Sequence, residues 1–160
     1  SWDAPKCRIT QTVAEPGNST RQVTTVIGYD GFGNVNSRAV TGKTSTGTNM
    51  AIRTTTTSWG TTGQFPMSVT NPLSQTTSFG YDFADGTRTS TTDPNGIQIT
   101  MQYDARGRLI RTNHPDGTAS TTEFTECGGS GQPSCESGTG PNEYIVIRKT
   151  RDTSNNTLTE

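Results

Sequence analysis

An aromatic residue leading into a tight turn recurs along this chain at a fixed interval. Such a recurrence restricts a chain to architectures built by stacking copies of one small unit. The clearest copy is Tyr103-Asp104-Ala105-Arg106-Gly107-Arg108-Leu109-Ile110. Tyr81-Asp82-Phe83-Ala84-Asp85-Gly86-Thr87 has one additional residue before its glycine, and Trp59-Gly60-Thr61-Thr62-Gly63-Gln64 carries Trp for Tyr and Gly for Asp. Tyr29-Asp30-Gly31-Phe32-Gly33-Asn34 comes first. The step is 22 residues from Trp59 to Tyr81 and again from Tyr81 to Tyr103, whereas Tyr29 and Trp59 stand 30 apart, which predicts an insertion over residues 44–49.

A second series of turns keeps the same period: Asn71-Pro72-Leu73-Ser74, Asp93-Pro94-Asn95-Gly96 and His114-Pro115-Asp116-Gly117. Proline presets φ near −65° at the second turn position, and glycine supplies a positive φ where one is needed. Between the turns, side chains alternate. Ile97, Ile99, Met101 and Tyr103 share one face, and Gln98, Thr100, Gln102 and Asp104 the other. Period two is the half-buried strand pattern. Val23, Thr25, Ile27 and Tyr29 repeat it, as do Thr77, Phe79 and Tyr81. Pro and Gly recur too often for long helices. Each unit is therefore a β-hairpin with its next connection, unable to bury an apolar face alone. The predicted fold is all-β: tandem antiparallel hairpins in a long, curling sheet, with clear repeats over 59–118 and a looser one over 21–43.

Composition tests this against disorder. Leu, Ile, Val and Phe make only 23 of 160 residues, but the net charge is −1, and disorder usually needs a large one. The 33 Thr and 14 Ser argue for strands, because β-branched Thr suits a pleated, half-exposed surface. The implied core is thin. Lys and Arg (13) are interspersed with Asp and Glu (14), so no basic block points to nucleic acid or anionic membrane. No apolar run approaches the ~20 residues that span a bilayer. The chain shows no signal peptide and no initial Met, and reads as a mature or excised fragment forming a single repeat segment over 1–160.

Cys127 and Cys135 enclose a Gly-Gly-Ser-Gly-Gln-Pro-Ser loop and could close it as a disulfide in an oxidising compartment or remain reduced thiols. A Cys/Gly-rich loop is expected over 125–142 and a terminal strand over 143–152. Cys7 is expected to be a small buried apolar residue. A zinc site would need a closer Cys pair with more ligands, and the one His is His114.

Tyr-Asp-x-x-Gly-Arg-Leu-Ile at Tyr103–Ile110 resembles the core of the YD repeat of Rhs proteins, wall-associated proteins, toxin-complex subunits and teneurins. Residues 59–118 resemble it throughout, with Thr-Asn-Pro-Leu and Thr-Asp-Pro-Asn-Gly as inter-hairpin turns. The resemblance implies a hairpin spiral winding into a hollow cocoon, which in bacterial members encloses a C-terminal toxin. It also implies a secreted or cell-surface location. The chain is too short to close a cocoon and carries no terminal autoprotease segment or toxin domain, so it reads as wall material.

The residues marking the repeat are Tyr29, Asp30, Gly33, Trp59, Gly63, Tyr81, Asp82, Gly86, Tyr103, Asp104, Gly107 and Arg108. A ladder of rings could stack on a glycan; the expectation is that it holds successive hairpins together, since each ring falls on the apolar face of its strand. Asp30, Asp82 and Asp104 are read as turn formers accepting backbone N–H bonds, ahead of acid–base or calcium roles. His114 exchanges with Asp93 between sister turns and is read as a hydrogen-bonding turn residue. Gly28–Gly33 has glycines like a phosphate loop but no helix or Lys follows. The sequons at Asn18 and Asn155 are read as coincidental, and the Thr run at Thr54–Thr57 as strand.

No catalytic residue, cofactor or metal ligand is assigned, and no enzyme activity is expected. Expected partners are flanking YD repeats, other copies of the chain meeting through open strand edges, an enclosed toxin or a glycan. The competing readings are a carbohydrate- or cell-binding adhesin and a self-assembling fibre.

Overall fold

The computed structural model describes residues 1–3, 6–126, 144–151 and 157–159. Cys127, Cys135 and most of the expected 125–142 loop lie outside the described residues. The chain divides into two compact units, residues 1–79 and 80–160.

In the first unit, β1 (Trp2–Asp3) and β2 (Arg8–Ile9) form a small ribbon. Then come β3 (Gln11–Ala14), β4 (Val23–Tyr29), β5 (Val35–Gly42), β6 (Arg53–Ser58), β7 (Ser68–Thr70) and β8 (Thr76–Tyr81, its last two residues counted with the second unit), each antiparallel to the next. In the second, β9 (Arg88–Thr92), β10 (Gln98–Tyr103), β11 (Leu109–Asn113), β12 (Ala119–Glu126), β13 (Tyr144–Arg151) and β14 (Thr157–Thr159) follow the same rule. The fold is thus the all-β, nearest-neighbour run of hairpins that the period-two pattern predicts.

Little apolar surface is removed from water. Among the described residues Ala119 is the one buried hydrophobic side chain and Thr25 the one buried polar side chain, while Leu73 is 78% exposed, Ile52 68% and Phe32 64%. Cohesion therefore rests on backbone ladders and on how turns fasten to neighbouring strands.

Two expectations are corrected. Cys7 is exposed and sits at φ 50, so it is a turn residue and not core filler. Residues 44–49, where an insertion is expected, form a hydrogen-bonded turn. Thr44 N donates to Thr48 O at 2.8 Å and Gly47 N to Thr44 O at 2.9 Å, with Lys43 bridged to Asn49. This is the inter-hairpin turn between β5 and β6, built without proline.

Candidate functional site: the interlocking turns

The two series of turns share one geometry. The N–H of the first turn residue donates to the carbonyl four residues on: Asp30 to Asn34, Asn71 to Gln75, Asp93 to Ile97, Asp104 to Arg108 and His114 to Thr118, all at 2.9–3.0 Å. The fourth residue takes a positive φ in each: Gly33 (99°), Ser74 (62°), Gly96 (82°), Gly107 (75°) and Gly117 (85°). That left-handed conformation suits glycine because it has no Cβ to meet the following carbonyl.

The first residue's side chain completes the turn. Asp30 Oδ1 accepts the N–H groups of Phe32 and Asn34, each at 2.9 Å. Asp104 Oδ1 accepts those of Arg106 and Arg108, again at 2.9 Å, while Arg108 Nε and Nη2 both reach Asp104 Oδ2 at 2.7 Å. Asp93 and Asn71 do the same for Asn95 and Ile97, and for Leu73 and Gln75. Asp82 opens a loop one residue longer, closing on Thr87 O and bonding Ala84 N. His114 has no carboxylate to offer. Its ring meets Ser120 Oγ at 3.3 Å, and Asp116 caps Thr118 instead.

These bonds favour the charged carboxylates. The backbone N–H of Ile97 holds the Asp93 carboxyl below its ordinary range, and that of Arg108 does the same for Asp104. At Asp30 partial desolvation pushes upward, but the bonds from Asn34, Phe32 and Gly33 outweigh it and the net direction is down. The Thr118 hydroxyl lowers Asp116.

The aromatic position is aimed by a bulge. Gly28 pairs with Ser37 but Tyr29 with Val35, leaving Asn36 unmatched; Gln102 pairs with Arg111 but Tyr103 with Leu109, leaving Ile110 unmatched. A bulge adds local twist and re-aims the adjoining side chain. Tyr29 then donates its hydroxyl to Ile9 O at 2.8 Å beneath Arg8, whose guanidinium lies 4.4 Å from the ring centre. Arg88 lies 5.9 Å from the Tyr81 ring, and the Tyr103 hydroxyl approaches Met101 Sδ at 3.8 Å. Arg108 stacks 4.1 Å over Phe124. The rings thus meet arginines, a thioether and backbone. Trp59 lies beyond the end of β6, in the loop rather than on its apolar face.

In the first unit, successive turns lock together. Trp59 Nε1 donates to Val35 O at 2.9 Å, and Asn34 Nδ2 donates to Gly63 O at 2.7 Å. A Cβ on Gly63, at φ 67°, would overlap the Phe32 ring. Gly63 is therefore required twice, for its backbone and for the ring laid on it. Gly28 and Gly80 escape the motif reading: a Cβ on either would overlap Ser37 Oγ or Ser90 Oγ across the hairpin. The available signal was a glycine directly before Tyr-Asp in two copies.

In the second unit, Gln102, Asp104, Arg108, Ile110 and Phe124 help line an open groove of about 510 Å³. Within it the Asp104 carboxylate and the Arg108 guanidinium are engaged with each other, an arrangement that fastens a turn. No group of three His, Cys, Asp or Glu suited to a metal occurs among the described residues.

A family model described as RHS Repeat matches residues 84–119, which hold the Asp93, Asp104 and His114 turns. Those residues carry the Rhs/YD repeat. The repeat's fold extends further than that match. Against a Photorhabdus luminescens Tc holotoxin pore the TM-score is 0.59 at 18% identity, covering 94% of this chain and 8% of that one. Against a structure of TcdB2, TccC3 and Cdc42 it is 0.60 at 19% identity, again covering 94% and 8%. At such identities the likeness is one of fold. No curated protein matches in sequence.

Proposed function

We propose that this chain is a wall segment of a bacterial secreted or cell-surface shell, part of a scaffold that encloses or delivers a toxin. Its role is mechanical rather than catalytic, and its partners are flanking YD repeats and the enclosed domain. The observation that carries this reading is a mismatch of scale. The fold covers 94% of the chain but 8% of the toxin-complex chains it resembles, and Ala119 is the one buried apolar side chain among the described residues. Such a unit gains its stability from neighbours stacked beside it. The repeat-marking tyrosines, aspartates and glycines act here as fasteners between hairpins.

The test is limited proteolysis of the complete polypeptide encoded with this chain. An enclosed downstream domain should resist protease until mild denaturant opens the wall. A downstream domain cut as fast inside the full polypeptide as when isolated would overturn the reading.

A further inference from the structure

One asparagine in the sequence is followed directly by glycine: Asn95-Gly96. The pair forms the apex of the Asp93 turn between β9 and β10, and both residues are exposed. A backbone amide attacks the preceding side-chain carbonyl most readily when its own residue has no side chain to crowd the approach. Nothing lies within 4 Å of where a Gly96 Cβ would stand.

We propose that Asn95 is a site of spontaneous deamidation in the folded protein, with the turn's own hydrogen bonds setting the rate. The Gly96 amide yields its proton to hydroxide, and its nitrogen bonds to Asn95 Cγ. The Cγ–Nδ2 bond breaks and Nδ2, taking a proton from water, departs as ammonia, leaving a succinimide. Water then opens the ring at one of its two carbonyls, giving aspartate or isoaspartate at position 95. No oxidant or reductant is needed.

Two contacts oppose the attack. Gly96 N–H donates to Asp93 O at 3.0 Å, occupying the nitrogen that must react. Asn95 Nδ2 donates to Asp93 Oδ2 at 3.3 Å, fixing the leaving amide. Asp93 Oδ1 also holds the N–H groups of Asn95 and Ile97 at 2.8 and 2.9 Å. Reaction therefore waits on opening of the turn. Its product then loosens that turn further. An aspartate at 95 replaces the donor facing Asp93 with a second negative charge, and isoaspartate adds a backbone carbon inside the loop closed by Asp93 N and Ile97 O. Either change works against the adjoining Gln98–Thr92 pair, where β10 meets β9.

Timed incubation of the intact chain at mildly alkaline pH, followed by peptide mass mapping, tests this. Asn95 should convert faster than any other asparagine in the described residues, and more slowly than it does in urea. Asp93→Ser should speed it about fivefold, the factor corresponding to one net hydrogen bond. Asn95 reacting no faster than the other asparagines would overturn the site. Equal rates in the folded and urea-denatured chain would overturn control by the turn, and that comparison stands even if Asp93→Ser does not fold.

Discussion

Ser74 occupies a position where its sister turns place glycine. Its φ is 62°, and Gly107 in the corresponding place has 75°. An L-residue in that region is disfavoured by roughly 1–2 kcal/mol. Ser74→Gly should remove that penalty while adding roughly 0.4–1 kcal/mol of unfolded-state entropy. The net is a stabilisation of about 0.5–1 kcal/mol. Gly107→Ala should run in the opposite direction by a similar amount, because nothing lies within 4 Å of the added Cβ and the cost is backbone alone. Gly31 is a control. It also has open space around a Cβ, but its φ lies outside the left-handed region, so Gly31→Ala should not destabilise. Ser74 and Gly31 belong to the first compact unit and Gly107 to the second. Melting followed by circular dichroism should move by about 4–8 °C per kcal/mol if a unit of this size melts alone, or about 2–4 °C if the chain melts as one. Ser74→Gly must raise the midpoint and Gly107→Ala must lower it. Equal, same-signed shifts for the three variants would refute the shared-turn geometry.

Other outcomes follow from the fastenings. Gly63→Ala should cost about 1–3 kcal/mol by overpacking the Phe32 ring, and combining it with Phe32→Ala should cost less than the sum of the two changes, read from denaturant midpoints. Trp59→Phe deletes the indole N–H bond to Val35 O and should cost about 1 kcal/mol. The lowered carboxyls of Asp30, Asp93, Asp104 and Asp116 have folded pKa values below their unfolded ones. Their stabilisation is therefore complete above the unfolded value of about 3.9 and is lost as pH falls through the folded values. Acid titration of the melting midpoint should show that loss, and Asp104→Asn should shrink it. A midpoint that rises on acidification would contradict the sign.

The turn geometry was legible where residue identity alone determines conformation. Gly33, Gly96, Gly107 and Gly117 announce a left-handed fourth position, and Asp30, Asp93 and Asp104 sit where a carboxylate reaches the N–H groups two and four residues on. The Thr44 turn was hidden because Thr takes the carboxylate's place and no proline marks it, although Gly47 stands in the fourth position. Partners of the aromatic rings were not legible. Ile9 O and Val35 O become acceptors only through cross-strand register, and that register depends on bulges whose unmatched residues, Asn36 and Ile110, have no sequence signature. Cys7 misled because a cysteine in a short polar segment has too little apolar company to be buried.

The most direct test of the repeat account is the cross-strand register in solution, measured from backbone nuclear Overhauser contacts. Thr100 should face Asn113 and Gln102 face Arg111, with the register stepping by one residue so that Tyr103 faces Leu109; the same step should recur where Gly28 faces Ser37 and Tyr29 faces Val35. Two hairpins with unlike registers, or helical contacts in residues 98–113, would contradict it.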